Sequence, residues 1–119
     1  KAQKLFDQLE GWMLKDKPYL NKKLSLTLMA KKLATNTCYL SHAVNEIGGK
    51  SIKQYINAYR IAAFLDYLRL EEFQNLTLMG VAKASGFHSF STFSRAFRIE
   101  KGCSPTDYIK ENLQKPKEE

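Results

Sequence analysis

The second half of this chain repeats its first half. The segment GKSIKQYI at 49–56 returns as GCSPTDYI at 102–109, and LSL at 24–26 returns as LTL at 76–78. A solenoid needs at least three repeats to bury a continuous core, so two copies indicate a duplicated small unit instead. What that unit binds therefore determines what the protein does.

The size and composition of the chain predict a packed interior. Of its 119 residues, 44% are hydrophobic and 12% aromatic, which suits one compact domain or two small lobes that share a core. Apolar runs fall far short of the roughly 18 residues that a membrane span requires. The first residues are KAQK, with no initiator Met and no signal peptide, which predicts a fragment excised from a longer protein.

The charge of the chain favours a polyanionic partner. Basic residues outnumber acidic ones by 19 to 12, which gives a formal net charge of +7. Nucleic acid is the first candidate for the partner and an acidic membrane the second. A basic surface that merely keeps the protein soluble is the alternative.

Residues suited to catalysis or metal binding are sparse. Cys38 and Cys103 lie far apart, and the two histidines are His42 and His88, so no zinc site of ordinary spacing and no cofactor is expected. The sequence has no phosphate-binding glycine loop and no nucleophile with an obvious base, which predicts that the protein is not an enzyme. Two lone thiols fit a reducing cytoplasm. The alternative is an alkyl-transfer or thiol-sensing protein that uses Cys38, with His42 as its base.

Apolar residues recur at helical spacing, and strand-like alternation is absent, so the predicted fold is all-α. Seven helices are predicted, over 3–15, 26–33, 37–47, 51–70, 78–85, 90–101 and 105–113. The predicted N-caps are Ser25, Asn36, Thr77 and Ser89. The third helix is expected to bury Leu40, Val44 and Ile47, and 71–75 is expected to be a polar connection.

Each copy is thus a short helix, a tight turn and a second helix with one apolar face. This is the outline of a helix-turn-helix, whose second helix enters the major groove of DNA.

A linker helix of about 20 residues spans about 30 Å, close to the roughly 34 Å between successive major grooves on one side of B-DNA. The predicted segments are an N-terminal helix and lead-in over 1–20, a first helix-turn-helix over 21–50, the linker helix over 51–70, a second helix-turn-helix with a C-terminal helix over 71–113, and a frayed tail over 114–119.

Positions that the apolar faces leave exposed are candidates for DNA contact. They are Thr37, Cys38, Ser41, His42 and Asn45 in the first recognition helix, and Phe90, Ser91, Ser94, Arg95 and Arg98 in the second. Arg95 can pair with guanine O6 and N7, and Phe90 can contact a thymine methyl group. Candidate phosphate contacts are Lys22, Lys23, Lys31, Lys32, Lys50, Lys83 and Arg98. The alternatives are a core position for Phe90 and a merely solvated surface for Ser41, Ser94 and His42.

The second copy resembles the signature of the AraC/XylS family of transcription regulators. The matching positions are Gly86-Phe87, Ser89, Phe93-Ser94-Arg95-Ala96-Phe97, Gly102, Ser104-Pro105 and Tyr108. The first copy resembles the same domain at Leu24-Ser25-Leu26, Ala30, Tyr39-Leu40-Ser41, Gly49, Ser51, Tyr55-Ile56 and Arg60-Ile61. The resemblance covers about 24–109, which is most of the chain.

The resemblance implies a seven-helix domain that binds promoter DNA and activates transcription, often through contact with RNA polymerase. It implies base contacts at Cys38, Ser41 and His42 in the first recognition helix, and at Phe90, Ser91, Ser94 and Arg95 in the second. The segment 5–20 also resembles regulators whose C-terminal domain follows a covalently linked sensor or membrane-anchored region. A cytoplasmic domain that makes no membrane contact of its own is therefore expected.

Three departures from the family pattern are visible. His42 stands where an arginine is common, Phe64 where a small residue is usual in the linker helix, and Gly80 where an acidic residue is usual. The second copy keeps an aromatic core and the arginines, whereas the exposed face of the first copy is small and weakly basic, so we expect the second copy to make the tighter and more specific contact with DNA. A module that binds another protein is the alternative function, and it would lack the steep salt dependence of DNA binding.

Overall fold

The computed structural model describes residues 1–112, and within them it contains seven α-helices and no strand. The helices are α1 (Ala2–Asp16), α2 (Leu26–Lys32), α3 (Thr37–Ala43), α4 (Ile52–Tyr67), α5 (Leu78–Ala84), α6 (Phe90–Lys101) and α7 (Pro105–Asn112). Short 3-10 turns occupy Pro18–Leu20 and Glu71–Phe73. The all-α prediction is confirmed, while the predicted helix end at Leu113 and the tail over 114–119 lie outside the described residues.

The short helices begin where hydroxyl and amide side chains accept backbone N–H groups. All four predicted caps accept the N–H three residues further on, at 2.8 to 3.2 Å, and they are Ser25, Asn36, Thr77 and Ser89. At the start of α4, Ser51 and Gln54 form a reciprocal capping box. Each such cap contributes about 1 kcal/mol to helix stability, which matters for helices of only seven residues.

The duplication is present in the backbone as well as in the sequence. Gly49 and Gly102, which end corresponding helices, both take left-handed conformations with φ of 68° and 82°. The turns before the two recognition helices also correspond, because Ala34 has φ 56° and Gly86 has φ 111°. The two copies therefore both place a residue with positive φ in this turn, an alanine in the first copy and a glycine in the second.

Two hydrophobic clusters form the interior, and α4 contributes to both. The first cluster comprises Leu9, Met13, Tyr19, Met29, Ala30, Leu40, Val44, Tyr55, Ile56 and Ala63. The second cluster comprises Ile61, Phe64, Val81, Ala82, Phe87, Phe93, Ala96 and Phe97. Because one helix supplies buried side chains to each cluster, the two copies are held on a common rigid element.

Aromatic rings fill the second cluster. The Phe64 ring on α4 lies 4.5 Å from that of Phe93 and 6.0 Å from that of Phe97, centroid to centroid. The Phe87 ring meets Phe93 edge-on at 5.2 Å. Phe64 is thus one of the buried contacts between the linker helix and the second recognition helix.

The predicted linker helix over 51–70 is too long, because α4 ends at Tyr67. The Gln74 side-chain amide donates to the carbonyl oxygens of Leu68 and Leu70, both at 3.1 Å, and so closes the helix end. The Tyr67 ring stacks on the Phe73 ring with their centroids 4.7 Å apart. The segment 71–75, which was expected to be a polar connection, therefore packs against the end of α4 through an aromatic side chain. At 16 residues α4 spans about 24 Å rather than about 30 Å.

The prediction that Ile47 is buried is wrong. The third helix changes at Val44 into a π-helical segment, Val44–Gly48, in which a turn contains more residues than in an α-helix. The wider turn rotates Ile47 away from the core and leaves it 40% exposed. A Cβ at Gly48 would lie 3.1 Å from the Phe6 ring, so the bare backbone there lets α1 pack against this segment.

We expect Phe64→Ala to lower the free energy of unfolding by about 3–5 kcal/mol, because it removes a fully buried ring from the second cluster. Urea denaturation followed by circular dichroism measures this loss. Ile99→Ala is the control, since Ile99 is 67% exposed, and we expect a change within about 0.5 kcal/mol. Equal losses in the two variants would contradict the packing described for Phe64.

Candidate nucleic-acid interface

The first recognition helix, α3, separates a buried face from a polar one. Leu40 and Ala43 are fully buried against the rest of the first copy. Cys38 and His42 are exposed and Ser41 is half-buried between them. Since residues three and four apart share one face of a helix, the three predicted base contacts do lie together.

The second recognition helix, α6, has the same arrangement with larger and more basic side chains. Ser91 and Arg95 are exposed, and Ser94 is half-buried. The Phe90 ring is 44% exposed, yet its centroid lies 5.6 Å from that of buried Phe93. Phe90 therefore packs one side on the core and leaves an apolar edge on the exposed face.

Most of the predicted phosphate contacts are exposed and lie on segments near the two recognition helices in the sequence. Six of the seven are exposed and Lys50 is half-buried. The lysines fall before α2, in the last turns of α2 and α5, and before α4, while Arg98 is on α6. The ammonium group of Lys32 lies 6.0 Å from the centroid of the Trp12 ring, a cation–π contact that directs it toward α1. Lys32 is therefore a weaker candidate for phosphate contact than its neighbour Lys31.

Tyr39, the one Phe, Tyr or Trp residue of α3, was not among the predicted contacts. Its side chain is 67% exposed and borders a cavity of about 620 Å³ between α1 and the first copy. His42 and Leu33 line the same cavity. The signal was present in the sequence, because Tyr39 precedes buried Leu40 and so falls off the apolar stripe.

Sequence reasoning also missed a groove that both copies line. This groove has a volume of about 340 Å³ and is bounded by α4 and by the turn before α6. Its basic and imidazole side chains come from Lys22 of the first copy, Lys53 and Arg60 of α4, and His88 of the second copy. The groove therefore extends the positive surface from one copy to the other.

The polar side chains on the exposed faces of α3 and α6 are suited to hydrogen bonding with the edges of bases. Hydroxyl, imidazole and guanidinium groups can donate to the acceptors of the major groove, and Arg95 matches guanine in particular. Among residues 1–112 there is no group of three or more metal-ligating side chains. That same range contains no helix with the length and hydropathy needed to cross a membrane.

Comparison with known proteins identifies the domain type. A family model described as a helix-turn-helix domain matches residues 29–111. The chain is 26% identical to the regulatory protein SoxS of Escherichia coli K12 over 106 aligned residues. The alignment covers 89% of this chain and 94% of SoxS.

Two solved structures share the fold. A protein of unknown function from Listeria innocua superposes with a TM-score of 0.72 at 21% identity, over 89% of this chain and 95% of that one. The C-terminal domain of AraT, a response regulator from Geobacillus stearothermophilus, gives a TM-score of 0.72 at 20% identity, over 99% and 90%. The chain therefore belongs to the AraC/XylS-type helix-turn-helix family, as a DNA-binding domain of a transcription regulator.

Proposed function

We propose that the chain binds double-stranded DNA sequence-specifically with both copies at once, α3 and α6 lying in adjacent major grooves. The observation that carries this proposal is that α4 is buried in both clusters, so the two recognition helices form one rigid unit. The copies differ in sequence, so the site for one monomer is non-palindromic.

The two recognition helices have unequal roles in this proposal. The second contacts bases through Phe90, Ser91, Ser94 and Arg95, which combine a bidentate donor, hydroxyl groups and an apolar edge. The first contacts bases through Cys38, Ser41 and His42, which are smaller and carry no permanent charge. The phosphate contacts are Lys22, Lys23, Lys31, Lys32, Lys50, Lys83 and Arg98. Most of the specificity is therefore expected from α6.

The first test is selection of binding sites from random duplexes by the purified domain. We expect two conserved blocks whose centres lie about 10 base pairs apart, since that spacing places successive major grooves on one side of B-DNA. The block contacted by α6 is expected to be the more strongly conserved. No enrichment of any sequence would contradict the proposal and would favour a module that binds protein.

Arg95→Ala is expected to weaken binding to the selected site by about 1–3 kcal/mol and to relax the preference at one base pair. The matched variant is Lys83→Ala, which removes the same charge from α5. It should weaken binding about equally on all sequences and should reduce the slope of log affinity against log salt by about 1.

Affinities measured by fluorescence anisotropy over a range of salt concentrations separate the two behaviours. A uniform loss for Arg95→Ala on every sequence would make Arg95 a phosphate contact. If Lys83→Ala leaves the slope of log affinity against log salt unchanged, Lys83 does not contact a phosphate.

We also propose that the chain is the cytoplasmic output domain of a larger regulator, linked covalently to a sensor region and activating transcription with RNA polymerase as its partner. The family membership supports a regulatory role, and the AraT domain is itself the C-terminal part of a response regulator. Transcription in vitro from a promoter that bears the selected site should rise when the protein is added. A fall would make the protein a repressor.

A further inference from the structure

Arg60 projects from α4 toward the segment that joins α1 to α2. Its Nε donates to the carbonyl oxygen of Tyr19 at 2.7 Å, and its Nη2 donates to that of Asn21 at 2.9 Å. Burial lowers the pKa of this guanidinium, although arginine remains protonated at neutral pH. The planar fork thus ties α4 to the lead-in of the first copy through two charge-assisted hydrogen bonds.

The same guanidinium also contacts the second copy. Its central carbon lies 5.9 Å from the centroid of the Phe87 ring, in the turn before α6. A Cβ placed on neighbouring Gly86 would lie 2.8 Å from Arg60 Nε and would overlap the Tyr19 carbonyl oxygen. The backbone of this turn therefore lies against both Arg60 and the lead-in of the first copy.

This close approach explains why the corresponding turns differ. Ala34 occupies the matching position in the first turn with the same sign of φ. Position 86 has no room for the methyl group of an alanine, because a backbone carbonyl occupies that space. The glycine is thus required by a contact between the copies as well as by the turn itself.

We propose that Arg60 is a positioning residue that holds the turn of the second copy against the lead-in of the first and thereby sets the orientation of α6 relative to α3. Phe87 lies only three residues before Phe90, the first residue of α6. A contact made at this turn therefore orients the recognition helix directly. The inference rests on the proposed binding of two adjacent grooves.

A fixed orientation strengthens binding only to a site that engages both copies. When two linked modules match the spacing of their targets, binding of the first raises the effective concentration of the second. Loosening the orientation lowers that effective concentration but leaves each module intact. Loss of Arg60 should therefore weaken binding to the full site and spare binding to each half-site.

The test compares Arg60→Met with Arg69→Met on three duplexes. One duplex carries the full selected site, and in each of the others one of the two blocks is scrambled. Arg69 follows α4 and is exposed, so its variant removes the same charge without touching the contact. We expect Arg60→Met to lower full-site affinity about tenfold or more and half-site affinities by less than about twofold. Arg69→Met should preserve the ratio of full-site to half-site affinity.

Spacing provides a second readout that a loss of stability alone would not change. Insertion of two base pairs between the blocks should weaken wild-type binding sharply and Arg60→Met binding much less. Where circular dichroism shows that Arg60→Met does not fold, Arg60→Lys serves in its place, because an ammonium group cannot reproduce the fork to two carbonyls.

The outcomes separate this inference from the function on which it rests. If the wild type binds the full site no more tightly than the better half-site, the proposed two-groove binding fails. If the wild type shows the advantage and the Arg60 variant retains both the advantage and the dependence on spacing, the role of Arg60 is overturned while the function stands.

Discussion

Burial of α4 in both hydrophobic clusters is the interaction on which the rest of the structure depends. Tyr55 and Ile56 pack in the first cluster, while Ile61 and Phe64 pack in the second. A helix of 16 residues does not bend easily between such closely spaced contacts. The position of each copy is therefore fixed relative to the other through α4. Short helices that would be marginal alone gain their stability from this shared element.

Local signals in the sequence account for most of the helices. Ser25 and Ser89 cap helices as predicted, because a hydroxyl that accepts a backbone N–H acts within three residues. The errors arise where a helix departs from regular α-helical geometry. Ile47 is exposed because the third helix ends in a π-helical turn, and the predicted linker helix is too long because α4 ends at Tyr67, just before the carbonyls of Leu68 and Leu70 that accept from Gln74.

The candidate interface was predictable for a related reason. An exposed face is the complement of an apolar stripe, so Cys38, His42 and Arg95 follow from periodicity alone. Arg60 does not follow from it, since its acceptors are backbone carbonyls about 40 positions earlier in the chain. Gly86 and Arg60 both match the family signature, but nothing in the sequence predicts that they lie against each other, and the structural requirement for glycine at position 86 is visible only in the fold.

Hydroxyl-radical footprinting of the selected site tests the central claim most directly, that one rigid domain engages two successive major grooves. The account predicts two protected stretches on the same side of the duplex, about 10 base pairs apart. A single protected stretch, or two stretches on opposite sides of the duplex, would contradict it.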